Sequence, residues 1–76
     1  MIDPSTIDMS SVSSSDIASI GYDATDQVLQ ITFNDGQTYQ YSGVPQSDFD
    51  GLMAADSKGS YAHSNIFPAY SYEKIS

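Results

Sequence analysis

The sequence predicts an α+β fold: a three-stranded antiparallel β-meander covered on one face by an α-helix and a second short helix. Three observations carry this reading. The segment V-L-Q-I-T-F at 28–33 alternates at the two-residue period of a strand, the clearest such signal in the chain. Turn-type clusters flank it, D-A-T-D-Q before and N-D-G after, and each borders another alternating segment. Beyond these, Phe49, Leu52 and Met53 form an apolar stripe at helical spacing behind Pro45.

A chain of 76 residues builds one core, hence one domain. Residues 1–11 read as an extended N-terminal arm and residues 12–76 as the folded domain. The arm is rich in Ser, Thr and Asp, and its scattered Ile2, Ile7 and Met9 follow no period. It is expected to order only where those side chains find a groove.

The first strand is A-S-I-G-Y, with Ala18, Ile20 and Tyr22 on one face. The second places Leu29, Ile31 and Phe33 on one face and Val28, Gln30 and Thr32 on the other. Pairing Tyr22 with Leu29 pairs Ile20 with Ile31 and Ala18 with Phe33, and closes a four-residue loop over 24–27. The third strand is Q-T-Y-Q-Y, whose Tyr39 and Tyr41 share a face. Which face depends on the turn. A two-residue loop at Asp35-Gly36 is chemically sound and puts both tyrosines on the polar side. A three-residue loop, Asn34-Asp35-Gly36, ends on a glycine suited to the left-handed position and aligns Ile31 with Tyr39 and Leu29 with Tyr41. The hydrophobic pattern favours the second, because a one-residue slip moves every side chain to the other face. Both tyrosines are then expected in the core, facing the stripe of Phe49, Leu52 and Met53.

Pro45 suits the first turn of the first helix, where its missing N–H costs nothing, and Asp48 and Asp50 lie near the positive end of the helix dipole. Gly51 weakens that helix by roughly 1 kcal/mol relative to alanine and is expected to allow close packing on the sheet. Ser57 can cap a second helix ending near Asn65. The tail F-P-A-Y-S-Y-E-K-I reads as extended and packed at the edge.

Ten acidic residues against two lysines give a net charge of −8. Such a surface repels a phosphate backbone, so nucleic acid is a poor partner on charge, and anionic membranes are disfavoured too. No apolar run approaches the roughly 18 residues of a membrane span. The N-terminus lacks the cationic start and apolar centre of a signal peptide. The absence of cysteine removes disulfides and thiolate chemistry. The chain is expected to be cytoplasmic in a bacterial host, or associated with a virion.

The series I-G-Y-D (20–23), L-Q-I-T-F (29–33), G-Q-T-Y-Q-Y-S-G-V-P (36–45), A-D-S-K-G-S-Y (55–61) and Y-S-Y-E-K-I (70–75) resembles the KTSC domain in order and spacing. That family is named from the C-terminal appendage of some lysyl-tRNA synthetases and also occurs as free-standing bacterial and phage proteins. The resemblance covers about residues 12–75, and the family's central Tyr-x-Tyr falls on Tyr39 and Tyr41. It implies an RNA-binding adjunct as one functional expectation. Only Lys58 and Lys74 are basic here, which weighs against it.

Chemistry has few candidates. His63 is the sole histidine, and its neighbours in sequence, Ser60 and Ser64, do not make a triad. The aspartates match no calcium-loop pattern, and no cofactor or metal is implied. The best local site is S-K-G-S-Y. Ser57, Lys58, Gly59 and Ser60 at a helix start, with His63 one turn on, suit a phosphate or carboxylate. The structural alternative makes Ser57 a cap, Gly59 a packing residue and Tyr61 buried.

The expected function is that of a small non-enzymatic acidic binding module acting through protein contacts. An inhibitor of a host complex and an accessory or structural virion protein are two versions of it. The expected partner face is the uncovered side of the sheet, carrying Val28, Gln30, Thr32, Thr38 and Gln40. Unpaired strand edges also suit strand addition or pairing with a second copy.

Overall fold

The computed structural model describes residues 2–76. Its strands are β1 (Met9–Ser11), β2 (Ile17–Asp23), β3 (Val28–Phe33), β4 (Thr38–Ser42) and β5 (Tyr72–Lys74), and its helices are α1 (Gln46–Ala54) and α2 (Lys58–Asn65). The sheet therefore has five strands, in the order β1-β2-β3-β4-β5 with every neighbour antiparallel, rather than the expected three. The class remains α+β. Both additional strands are three residues long, M-S-S and Y-E-K, too short to show alternation. They form because β2 and β4 would otherwise present a row of unpaired backbone groups at each edge.

The central meander follows the predicted register. Tyr22 pairs with Leu29 and Ile20 with Ile31 across a loop over 24–27. Asp23 Oδ1 organises that loop by accepting from the Thr25 and Asp26 amides at 2.9 and 3.1 Å. Across the next turn Ile31 pairs with Tyr39 and Leu29 with Tyr41. The Phe33 N–H donates to the Gln37 carbonyl at 2.8 Å and the Gly36 N–H to the Phe33 carbonyl at 2.9 Å, with Gly36 at φ +92°. This is the three-residue loop.

One pairing differs from expectation. The β2–β3 register shifts between Ile17 and Ser19, so Ile17 and not Ala18 lies opposite Phe33. A bulge of this kind re-aims one side chain. Here it sends isoleucine to the interior, where it is 1% exposed, and leaves the smaller alanine half-buried.

Ile17, Ile20, Leu29, Ile31 and Tyr41 form the sheet's share of the core, and Val44, Leu52, Ala62 and Ile66 complete it. Pro45 is the N-cap of α1, with Asp48 in the first turn. Leu52 is fully buried and Phe49 stacks on Tyr22 at 4.9 Å and 11°. Gly51 serves helix–helix packing rather than the sheet, because the Tyr61 ring of α2 occupies the space a Cβ would need. Ser57 caps α2, its Oγ accepting from the Ser60 N–H at 3.3 Å.

The second face of the sheet is not open. A 3₁₀ turn at Pro4–Thr6 leads the arm across it into β1. Ile7 is buried over Gly21, and the Gln30 and Gln40 side chains are 3% and 2% exposed beneath the arm. Gln40 Nε2 donates to the Ile2 carbonyl at 2.9 Å and to Gln30 Oε1 at 2.8 Å, while Gln30 Nε2 donates to the Pro4 carbonyl at 3.3 Å. Val28 is also buried. Of the expected partner face, only Thr32 and Thr38 retain partial exposure, and their hydroxyls bond each other at 2.9 Å. The arm covers this face because stacked amides in a sheet need polar partners, and its carbonyls supply them.

Candidate functional site

On the helix-facing side of the sheet, alternation places Tyr39 and Tyr41 next to each other on β4, with ring centroids 6.4 Å apart. The β4–β5 pairing sets Tyr72 opposite Tyr41 and Lys74 opposite Tyr39. Residues that pair directly share a face, so Tyr72 joins the two tyrosines, at 5.5 Å from Tyr39 and 5.8 Å from Tyr41. After α2 the chain turns, the Phe67 N–H donating to the Ala62 carbonyl at 2.9 Å, and Pro68 prevents the helix from continuing. This drops the Phe67 ring onto the sheet, stacked on Tyr41 at 5.6 Å and tilted against Phe33 at 6.0 Å.

The tyrosine pair therefore meets Phe67 and Tyr72. Of the helical stripe expected to cover it, Leu52 joins Tyr41 in the buried core and Met53 packs against that core, while Phe49 stacks on Tyr22. The β4–β5 end of this face is left as a groove of about 360 Å³ lined by Phe33, Asp35, Gln37, Tyr39, Tyr41, Phe67 and Tyr72. It adjoins a second recess of about 430 Å³ lined by Ser15, Asp16, Phe33, Asn34, Asp35, His63 and Phe67. The two share Phe33, Asp35 and Phe67, so a single aromatic floor runs under both.

Exposure grades across this floor. Tyr41 is 4% exposed and Tyr72 is 63% exposed. Burial, together with the neighbouring Tyr39 and Tyr72, pushes the Tyr41 hydroxyl up to about 12, so it stays protonated throughout the physiological range. The Tyr39 hydroxyl donates to Gln37 Oε1 at 3.3 Å. The walls are acidic, with Asp35 bordering both recesses and Asp16 bordering one. Asp35 uses Oδ1 to accept from the Gln37 N–H at 3.0 Å. Chemically, this surface offers ring faces, a phenol and carboxylates: it can stack, donate and attract positive charge.

The residues singled out from S-K-G-S-Y divide between two places. Ser57 and Lys58 line a third recess of about 320 Å³ with Ser13, Ser14, Ser15 and Asp56, which shares only Ser15 with the second. Lys58 Nζ donates to the Ala55 carbonyl at 3.1 Å. Gly59 is buried, and a Cβ there would lie 3.1 Å from Asp16 Oδ2, so the start of α2 already has a carboxylate against it. Ser60 is exposed and contributes its backbone N–H to the cap. His63 is exposed in the second aromatic recess, 4.9 Å from Phe67 and edge-on to it. Asp35, Phe67 and Tyr72 carry the groove and were not among the expected site residues. The signal for Tyr72 was present in the tail's Tyr-x-Tyr spacing. Nothing local marks Phe67, whose position depends on where α2 ends and docks.

The chain matches the KTSC domain family over residues 13–70. It is 40% identical over 62 residues to a protein of Tsukamurella paurometabola, covering 82% of this chain and 92% of that one. It is 38% identical over 55 residues to a lysine–tRNA ligase of Trichormus variabilis, covering 72% of this chain and 10% of the ligase. Among solved structures it is similar to a KTSC domain protein of Yersinia pestis, with a TM-score of 0.87 and 41% identity over 92% of this chain and 99% of that one. Sequence motifs, matched span and superimposable architecture agree, and the chain belongs to the KTSC domain family.

Proposed function

We propose that this domain is a non-enzymatic binding module that acts through protein contacts, and that its contact surface is the aromatic groove along β4 and β5. The observation that carries this reading is the graded cluster of Tyr41, Tyr39, Phe67 and Tyr72, which ends in a ring that is 63% exposed. Aromatic anchors of this kind dominate protein interfaces, because they bring large rigid area at low entropic cost. The opposite face is engaged by the chain's own arm, so the groove is the better surface for a second molecule. An RNA-binding adjunct is the other reading, suggested by the likeness to part of a lysine–tRNA ligase and by exposed rings able to stack on bases. The net charge of −8 and the acidic walls weigh against it.

Replacing Tyr72 with a photo-crosslinking phenylalanine derivative tests the proposal in bacterial lysate. The expected result is a discrete protein adduct, competed by the unlabelled domain and absent when the crosslinker stands at Asp26 in the exposed 24–27 loop. Adducts with RNA alone at position 72, or equal protein labelling at both positions, would reject it.

A further inference from the structure

Resting on that reading, we infer that the occupant of the groove is a basic segment of a protein partner, one of whose Lys or Arg side chains lies across the rings of Tyr39 and Tyr72 and meets the Asp35 carboxylate. Three observations carry this. First, the rings of Tyr39 and Tyr72 are 5.5 Å apart and tilted at 53°, which gives a cation two ring faces within reach. A cation within about 6 Å of a ring centroid is attracted by its quadrupole, more strongly where water is partly excluded. Second, Asp35 borders both recesses and holds only Oδ1 in its turn, to the Gln37 N–H. The other carboxylate oxygen is engaged by no described residue, and Asp16 adds a second negative charge to the adjoining wall. Third, the whole chain carries −8, so a basic segment is drawn to it at long range.

The competing occupants fit less well. A purely apolar anchor would remove water from the Asp35 carboxylate without replacing its hydrogen bonds, a costly exchange. A phosphate would meet Asp16 and Asp35. Of the chain's two lysines, Lys74 pairs opposite Tyr39 on the same face. It repels the proposed occupant, and this fixes the sign of one variant in advance.

The test uses the full chain, isotopically labelled, titrated with a short peptide of alternating arginine and glycine and followed by backbone amide shifts. Control peptides replace arginine with glutamate or leucine, and single-stranded RNA is a further ligand. Saturable shifts should centre on Phe33, Asp35, Tyr39 and Tyr72. Tyr72→Ala and Asp35→Asn should each raise Kd about 5-fold, consistent with a partly desolvated cation–π or ionic contact. Lys74→Glu should lower Kd, and Asp26→Asn should leave it unchanged. Tyr72 is exposed on an edge strand, so its replacement keeps the fold, which the dispersion of the same spectra verifies. Equal weakening by Asp26→Asn and Asp35→Asn, or no change on Tyr72→Ala, would reduce the attraction to overall charge and overturn the inference. Preference for the leucine peptide would also overturn it while leaving the groove as a docking surface. So would a protein adduct at position 72 with no peptide affinity. Saturable RNA binding in the groove would reject both the inference and the proposal it rests on.

Discussion

The side chains of Gln30 and Gln40 are hydrogen-bonded to each other at 2.8 Å between the sheet and the N-terminal arm, and both are almost completely buried. Each also donates to an arm carbonyl, Gln30 to Pro4 and Gln40 to Ile2. Two adjacent glutamines on a buried face are tolerable only when their amides are satisfied, so the pair makes the arm part of the fold.

Removing the arm should therefore destabilise the domain by more than its apolar contacts alone. Deletion of residues 1–7 strands the outer donors of Gln30 and Gln40 and removes Ile7 from over Gly21. Where the vacated face readmits water the cost falls at the lower end of about 1–3 kcal/mol per stranded group. Urea denaturation of the full chain and the deletion measures it. The double variant Gln30→Leu with Gln40→Leu should cost the full chain more than the deletion, because only in the full chain does it take the donors away from the Ile2 and Pro4 carbonyls.

Gly21 offers a sharper way to detach the arm. A Cβ at this position would lie 2.5 Å from the Asp8 carbonyl oxygen and 2.6 Å from Ile7 Cγ2. Gly21→Ala should displace the arm at a cost of roughly 1–3 kcal/mol, the range for overpacking a core. Limited proteolysis should then cleave within residues 2–12 while the rest of the domain stays resistant. An unchanged cleavage pattern would show that the arm is not anchored by this contact.

Tyr41 and Tyr72 pair across neighbouring strands yet should respond very differently to truncation. Tyr41 is a core residue, and Tyr41→Ala should cost about 3 kcal/mol, as large-to-small core changes do. Tyr72 is 63% exposed, and Tyr72→Ala should change stability by about 0.5 kcal/mol or less. Thermal or urea melts of the two variants separate a structural tyrosine from one held for contact.

The same burial sets an alkaline limit. Tyr41 titrates near 10 in an unfolded chain and is pushed up to about 12 in the folded one, first by burial and then by Tyr39 and Tyr72. Between these values the native state holds a proton that the unfolded state has lost, so the stability it provides is present below pH 10 and disappears as pH rises towards 12. The loss from this group is on the order of 2–3 kcal/mol. Tyr22, raised chiefly by burial, and Tyr70, raised by its hydrogen bond to Asp48, act in the same direction. Stability measured against pH should fall in this window, and Tyr41→Phe should flatten part of the slope.

The parts of the fold whose causes are local were legible in the chain. The two-residue period of V-L-Q-I-T-F, the glycine of the Asn34-Asp35-Gly36 turn and the loop over 24–27 fixed three strands in one phase. Ser57 marked the start of α2, which runs from Lys58 to Asn65. Each of these depends on neighbours a few residues away, so the chain carries its own signal. The KTSC resemblance was legible for the same reason, since its motifs lie on these elements. Features that depend on distant groups follow from packing. The bulge that sends Ile17 inward answers to the volume of the finished core. The three-residue strands β1 and β5 exist because β2 and β4 offer unpaired backbone. Gln30 and Gln40 look like an open polar face until a segment as far as 38 residues away supplies their partners. The groove needed Phe67 and Tyr72 to arrive from beyond α2, and no period in the sequence records where a chain lands once its helices have docked.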